Sequence, residues 1–296
     1  MTQPDLTFVY IVEPPDYQIM ACTLLASIRS HFDAARVAAI GYCPAHRMDE
    51  LHPAVLKAHR MMGAEIRPMV TEGMWDTPYP HGNKILACRA PRSEAATVFL
   101  DTDMVCCAPL DLVRELRPGA VSVIPEGTPT WGKNNDRWDR AYAHFGLPLP
   151  TARVRLTRKR RREFYPYFNA GFIGFDTECP ADFAEEWYRT AHDLDWNCKV
   201  ALKRPWLDQI TLPIAMARAG IDYHVLPDTL NFSVSDRAHE PDKSPRLIHY
   251  HSFRYAREWP QVRAEMDRLA QIFPAPLMAR LRGEFQQFWT PAPDAA

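Results

Sequence analysis

Residues Leu6 to Val12 (LTFVYIV) form a continuous β-branched and aromatic run that stops at Glu13-Pro14-Pro15, which predicts a buried first strand. Asp16 then stands at a helix N-cap position, ahead of a helical stretch from Tyr17 to His31 with apolar positions at Ile19, Met20, Leu24, Ala26 and Ile28. Val37 to Tyr42 predicts a second strand, Met48 to Met62 a helix ended by Gly63, and Ala64 to Met69 a third strand. Strands alternating with helices in this way predict an α/β fold, with a mostly parallel sheet covered by helices. Further along, 83–94 predicts a helix interrupted at Pro91, and Ala96 to Leu100 and Ala120 to Ile124 predict short buried strands. The stretch from Pro125 to Pro150 reads as an aromatic loop around Trp131 and Trp138. Phe168 to Phe175 predicts a strand, Trp187 to Trp196 a helix, and Trp206 opens a helix towards Gly220 with Pro213 near its start. Tyr223 to Leu226 and Arg246 to Tyr250 predict short strands, Trp259 to Phe288 is helical in pattern, and 290–296 reads as a frayed tail. No internal repeat or linker interrupts the order.

Composition narrows this picture. The chain has 296 residues, 47% hydrophobic and 24% charged, enough to bury a sizeable core. Its net charge of -1, from 35 basic and 36 acidic residues, creates no whole-chain field towards nucleic acid. The seven cysteines show no CxxC spacing, and Cys106 and Cys107 are adjacent, which predicts reduced thiols and a cytoplasmic protein. The start Met-Thr-Gln-Pro-Asp has no signal-peptide pattern, and no run reaches the ~18–20 apolar residues of a membrane span. One charge asymmetry stands out: residues 153–162 hold seven basic residues and no acid. It reads either as a solvated loop or as a surface that recruits an acidic partner, such as a phosphorylated glycan or a peripheral contact with anionic lipid.

The strongest chemical signal is VFLDTDMV, residues 98–105. A buried strand delivers Asp101 and Asp103 to its carboxyl end, where open α/β sheets bind ligands. Two carboxylates one residue apart repel unless a cation is close, and hard oxygen ligands favour Mg²⁺ or Mn²⁺. A solvated turn is the alternative. His249 follows a short apolar strand and can add a nitrogen ligand, which tilts preference towards Mn²⁺. His251 is expected on the opposite face from His249, so that one of the two histidines binds the ion. Lys84 can set a point charge beside a diphosphate, pair with a carboxylate, or stand on the surface. Asn169, Asp208 and Gln209 are polar groups bracketed by apolar ones, which fits either sugar hydroxyls or a satisfied structural network.

In order along residues 6–260, these landmarks resemble the family 8 glycosyltransferases, the group of glycogenin and the bacterial lipopolysaccharide galactosyltransferases. Asp16-Tyr17 after the first strand looks like the family's nucleotide-base pocket, Asn83-Lys84 like its lysine segment, and VFLDTDMV like its DxD motif. FNAGFIGF is similar to its FNSG strand, Trp206-Leu207-Asp208-Gln209 to its DQ motif, and Ile248-His249-Tyr250 to its histidine-bearing C-terminal segment. The resemblance implies a GT-A fold over 1–260, with a nucleotide-binding half over about 1–125, an acceptor half over about 126–260, and a helical segment over 261–296. It implies Asp101, Asp103 and His249 as metal ligands for Mn²⁺ or Mg²⁺, and Tyr17, Lys84 and Asp101 as contacts to a nucleotide-diphosphate sugar, a UDP-sugar in the family. Asp208, Gln209 and Asn169 take the catalytic positions, with retention of configuration and a glycan, lipid-linked or small-molecule acceptor implied. The chain departs from the pattern at Ser252, where glycine is expected, and has no lysine beyond it; Arg254 or Arg257 can replace that lysine as a diphosphate clamp. Ala170 and Thr102 are milder departures.

Two other enzyme classes use part of this pattern. DTDMV also matches haloacid-dehalogenase phosphatases, which place the motif near the N-terminus and add a later acidic motif that this chain lacks. A sugar-1-phosphate nucleotidyltransferase needs a Gly-rich, Arg-containing loop where this chain has Glu13-Pro14-Pro15-Asp16. A non-catalytic nucleotide-sugar binding protein would keep the metal and base contacts.

Overall fold

The computed structural model describes residues 5–32, 36–158, 162–235 and 237–289. Part of the basic run (159–161) and the tail 290–296 lie outside these residues. In chain order the elements begin β1 (Leu6–Ile11), α1 (Tyr17–His31), β2 (Val37–Pro44), α2 (Pro53–Met61), β3 (Glu65–Met69), α3 (Asn83–Arg89), β4 (Ala96–Leu100) and β5 (Met104–Cys106). They continue with α4 (Leu112–Glu115), β6 (Ala120–Pro125), α5 (Arg137–His144), β7 (Val154–Arg155), β8 (Glu163–Phe164), β9 (Phe168–Asp176), α6 (Phe183–Asn197) and α7 (Leu207–Ala219). The last are β10 (Asp222–Val225), β11 (Phe232–Ser233), β12 (Leu247–His249), α8 (Phe253–Glu258), α9 (Pro260–Ile272), α10 (Ala275–Glu284) and α11 (Gln286–Trp289). This is the expected mixed α/β fold, with mostly parallel central strands flanked by helices.

The chain forms two compact units from interleaved segments. The first comprises Met1–Met69, Leu100–Asp111 and Thr229–Ala296. Here β1 pairs in parallel with β2, and β2 with β3. Because Leu6, Phe8, Val9 and Tyr10 are all buried, β1 is apolar without alternation, as a strand covered on both faces must be. Helix α1 packs against β1, β5 and α9, so Gln18 through Ile28 are buried almost all round. Gly41 is required on β2, since a Cβ there would lie 2.5 Å from Val12 Cγ2. A second sheet orders β11-β12-β5, with β11 parallel and β5 antiparallel to β12.

The second unit comprises Val70–Phe99 and Leu112–Asp228. Its strands run in the order β10-β6-β9-β4, with β10 parallel and β9 antiparallel to β6. Helices α6 and α7 pack together, and α7 lies on β9. Trp131 and Trp138, both fully buried, meet edge to face with ring centroids 4.9 Å apart.

Several sequence expectations are corrected. The stretch over Pro125–Pro150 contains α5, whose Trp138, Ala141 and Tyr142 anchor it in the core. The helix expected from Met48 to Met62 splits into a 3-10 turn (Ala45–Glu50) and α2, where His52 caps the new start by accepting from Ala54 N–H and Pro53 suits its first position. Helix α3 stops at Arg89, and Arg92 donates back to the carbonyls of Ala87 and Ala90. Asp16 does not cap α1; its carboxylate instead accepts from Gln287 Nε2 at 3.0 Å. Pro213 stands inside α7 rather than in its first turn, so the Gln209 carbonyl loses its helical donor. No disulfide forms, and the seven cysteines are thiols. No helix among the described residues is long and apolar enough to cross a membrane.

Candidate active site

In the first unit, the antiparallel register of β5 and β12 sets His249 opposite Met104, one residue from Asp103. Tyr250 N–H donates to the Asp103 carbonyl at 3.0 Å, which closes the ladder beside the aspartate. Thr102 points away from the two carboxylates, and its hydroxyl donates to the Ile11 carbonyl at 2.5 Å, pinning the Asp-Thr-Asp turn to the end of β1. The alternation of side chains therefore puts Asp101 and Asp103 together and uses Thr102 as the anchor.

His249 Nε2 lies 3.1 Å from Asp103 Oδ1 and 3.9 Å from Asp101 Oδ2. Its Nδ1 lies 2.9 Å from Asn231 Oδ1, an acceptor, so Nδ1 carries hydrogen and Nε2 is the ring nitrogen turned to the carboxylates. Burial pushes the Asp103 carboxyl up, but the charge and hydrogen bond of His249, with His251 beside it, outweigh that and hold it below the usual carboxylate range. A buried carboxylate held ionised next to a second one is what a divalent cation needs.

The expectation for His251 is corrected. Residues two apart share a face of an extended chain, so alternation itself sets His251 on the side of His249; β12 ends at His249, and His251 adopts a left-handed φ of 58°. Its ring lies on that of His249, with centroids 3.7 Å apart and planes at 29°. Asp103, His249 and His251 each offer a ligand atom, all within 4.8 Å of one another.

Tyr17 opens α1 with 44% of its surface exposed. Burial, then the charges of Asp103 and Tyr17, push the Tyr250 phenol well above its ordinary value; its hydroxyl is buried with no partner among the described residues. Arg254 is exposed on α8 with its guanidinium 5.8 Å from the Tyr255 ring. Arg257 is committed elsewhere, donating to the Gln287 carbonyl, so of the two arginines it is Arg254 that stays on the surface.

The second unit holds another polar cluster. Lys84 Nζ lies 3.3 Å from Asp208 Oδ2 and donates to the Ala170 carbonyl at 3.2 Å, with Lys84 7% and Asp208 3% exposed. The Tyr79 hydroxyl donates to Asp208 Oδ1 at 2.8 Å and accepts from Asp208 N–H at 3.2 Å. Burial, then the Asp208 charge, pushes the Tyr79 phenol well up. Asn169 donates to Glu126 Oε2 at 2.9 Å and accepts from Gly171 N–H at 2.9 Å. The neighbouring Gln209 has an Oε1 that is buried and accepts no hydrogen bond among the described residues. An amide oxygen left so is costly, and a hydroxyl donor from a ligand relieves the cost.

The structure thus brings Asp101, Asp103 and His249 together in one unit, and Lys84 and Asp208 in the other. Sequence reasoning missed Asn231, Ser233, Tyr79 and Glu126. Glu126 had a signal, since it follows the buried strand β6 at its carboxyl end, as Asp101 follows β4.

The family profile of the Rhodobacterales glycosyltransferase domain matches residues 8–220. The chain belongs to that family. This glycosyltransferase also has the fold of a solved galactosyltransferase, LgtC, in complex with donor and acceptor sugar analogs: the TM-score is 0.62 at 12% identity, over 94% of this chain and 100% of that one. It is similar to the apo bifunctional glycosyltransferase WbbM (TM-score 0.55, 14% identity, 98% of this chain and 52% of that one). Mouse xyloside xylosyltransferase 1, apo form, matches with a TM-score of 0.52 at 14% identity, over 83% of this chain and 97% of that one. No curated protein sequence matches. Family membership sets aside the phosphatase and nucleotidyltransferase alternatives.

Proposed function

We propose that this glycosyltransferase is of the family 8 type and moves a hexose from a UDP-sugar to a hydroxyl of a glycan, lipid-linked or small-molecule acceptor, with retention, in a Mn²⁺- or Mg²⁺-dependent reaction. The observation that carries the reading is the convergence of Asp101, Asp103 and Nε2 of His249, with Asn231 holding the other ring nitrogen. Those residues fit a divalent ion: two carboxylates and an imidazole form an oxygen-rich set with one nitrogen. Such an ion neutralises the donor diphosphate and so eases departure of the nucleotide. The reading is supported by LgtC, whose structure holds donor and acceptor sugar analogs.

The chain's own residues take the other roles. Exposed Tyr17 offers a flat face for the nucleotide base, and Arg254 a guanidinium for the diphosphate. In the second unit, Asp208 and Asn169 are held rigid by Tyr79, Lys84 and Glu126, so they present fixed acceptors and donors to sugar hydroxyls. Gln209 supplies its unpartnered Oε1 to the same task. A solved LgtC structure carries a glutamine-to-glutamate change at an active-site position, which supports a glutamine in that role here.

Thermal unfolding with UDP, GDP, ADP and CMP, each with and without Mn²⁺, tests the proposal. A ligand that binds the folded state raises the melting temperature by mass action. The expected result is a shift with UDP plus Mn²⁺ that disappears in Asp103→Asn. No shift with any nucleotide would sink it.

A further inference from the structure

His251 carries more than the proposed function requires of it. A left-handed backbone at a residue other than glycine costs about 1–2 kcal/mol, and such outliers collect where a side chain is put to use. Here the residue that bears it sets a second imidazole beside the carboxylates. Both rings are also held alike. Asn231, beside β11, holds Nδ1 of His249 at 2.9 Å, and Ser233, within β11, lies 3.1 Å from Nε2 of His251. Two partners two residues apart, one beside β11 and one within it, thus orient two histidines two residues apart at the end of β12 and just beyond it. A polar group on the second nitrogen of each ring is the usual support of a metal-bound imidazole. Ligands of a single ion at ~2.1 Å stand about 3–4 Å apart, so the 4.8 Å envelope of Asp103, His249 and His251 needs only a small closure.

We propose that His251 is a further ligand of the ion, giving a centre of two carboxylates and two imidazoles that selects Mn²⁺ and later first-row ions over Mg²⁺. This rests on the reading that Asp101, Asp103 and His249 bind a divalent cation. With Ser233 on Nε2, Nδ1 is the ligand nitrogen of His251. Mg²⁺ demands oxygen ligands and keeps its waters, and each imidazole that replaces an oxygen moves preference along the series towards Co²⁺ and Zn²⁺.

The test is direct Mn²⁺ and Mg²⁺ binding to the purified protein without nucleotide, by calorimetry, with electron spin-echo modulation of the Mn²⁺ form to count bound nitrogens. His251→Ala is the main variant; the residue is exposed, so its loss leaves the core intact. The expected result is two coupled nitrogens in wild type and one in His251→Ala. Mn²⁺ affinity should fall about 10–100-fold while Mg²⁺ affinity changes little. Ser233→Ala, which keeps the ligand and removes its support, should fall about 10-fold. Unchanged Mn²⁺ affinity and nitrogen count in His251→Ala, with binding lost in Asp103→Asn, would overturn the proposal and keep the metal reading. Mn²⁺ binding that survives Asp103→Asn, or is absent from wild type, would overturn both.

Discussion

The two polar clusters solve the problem of buried charge in opposite ways. In the second unit, Lys84 supplies a cation to Asp208 Oδ2 and Tyr79 donates to Oδ1, while Asn169 donates to Glu126. In the first unit, Asp101 and Asp103 face the imidazole of His249, with His251 against it, groups that can also ligate a metal ion. One cluster is an ion pair complete within the protein, whereas the other gathers groups that ligate metal ions. On the proposed reading, the former positions a substrate and the latter recruits an ion. The contrast can be tested by asking what each cluster loses when one member is removed.

The largest effect belongs to the complete cluster. Lys84→Met leaves Asp208 buried and uncompensated and should destabilise the protein by about 3–5 kcal/mol in urea unfolding. Adding Asp208→Leu should restore much of that stability but no transfer activity; a double variant as unstable as the single one would mean that Lys84 does not serve the pair. Next comes acid. His59, fully buried in the first unit with no carboxylate beside it, is pushed by burial from 6.5 down to about 4. Since the folded pKa is the lower, the unfolded state takes the proton first. About 3 kcal/mol of stability should therefore be lost as pH falls from 6.5 through 4. His59→Asn should flatten that slope, which isolates any acid response of the ion-seeking cluster.

Asp103→Asn should leave the unliganded protein near wild-type stability while abolishing the gain from Mn²⁺ plus UDP. That gain is about 2.7 kcal/mol in wild type at a ligand concentration a hundredfold above Kd. A loss of stability without ligand as large as that of Lys84→Met would erase the contrast between the clusters. The smallest effect concerns the anchor. Thr102→Val removes the hydrogen bond to Ile11 and should cost about 1 kcal/mol, with a weaker Mn²⁺ affinity as the turn loosens.

What the sequence revealed follows the range of the interactions. β1, α1, β4 and α7 were legible because their patterns are local: a buried run, a helical period, a glycine after the last turn. Asp101, Asp103 and His249 were legible because they stand at strand ends. β5 was not, since its three residues become a strand only by pairing with residues near 248. Asn231 and Ser233 were missed because each meets its histidine across 18 residues, and Tyr79 meets Asp208 across 129. Helix α5 was hidden because polar residues and glycine flank the tryptophans that fix it. His251 beside His249 was legible, since residues two apart share a face of an extended chain, but its left-handed backbone was not.

The interleaving of the two units sets a timetable. Every segment of the second unit has been synthesised by Asp228, whereas the first unit still awaits Asn231, His249 and the closing helices. Gln287, which holds both Asp16 and Arg257, is among the last described residues to leave the ribosome. On the proposed reading, a nascent chain therefore carries every segment of its sugar-binding cluster before the residues that would hold the ion have all been made.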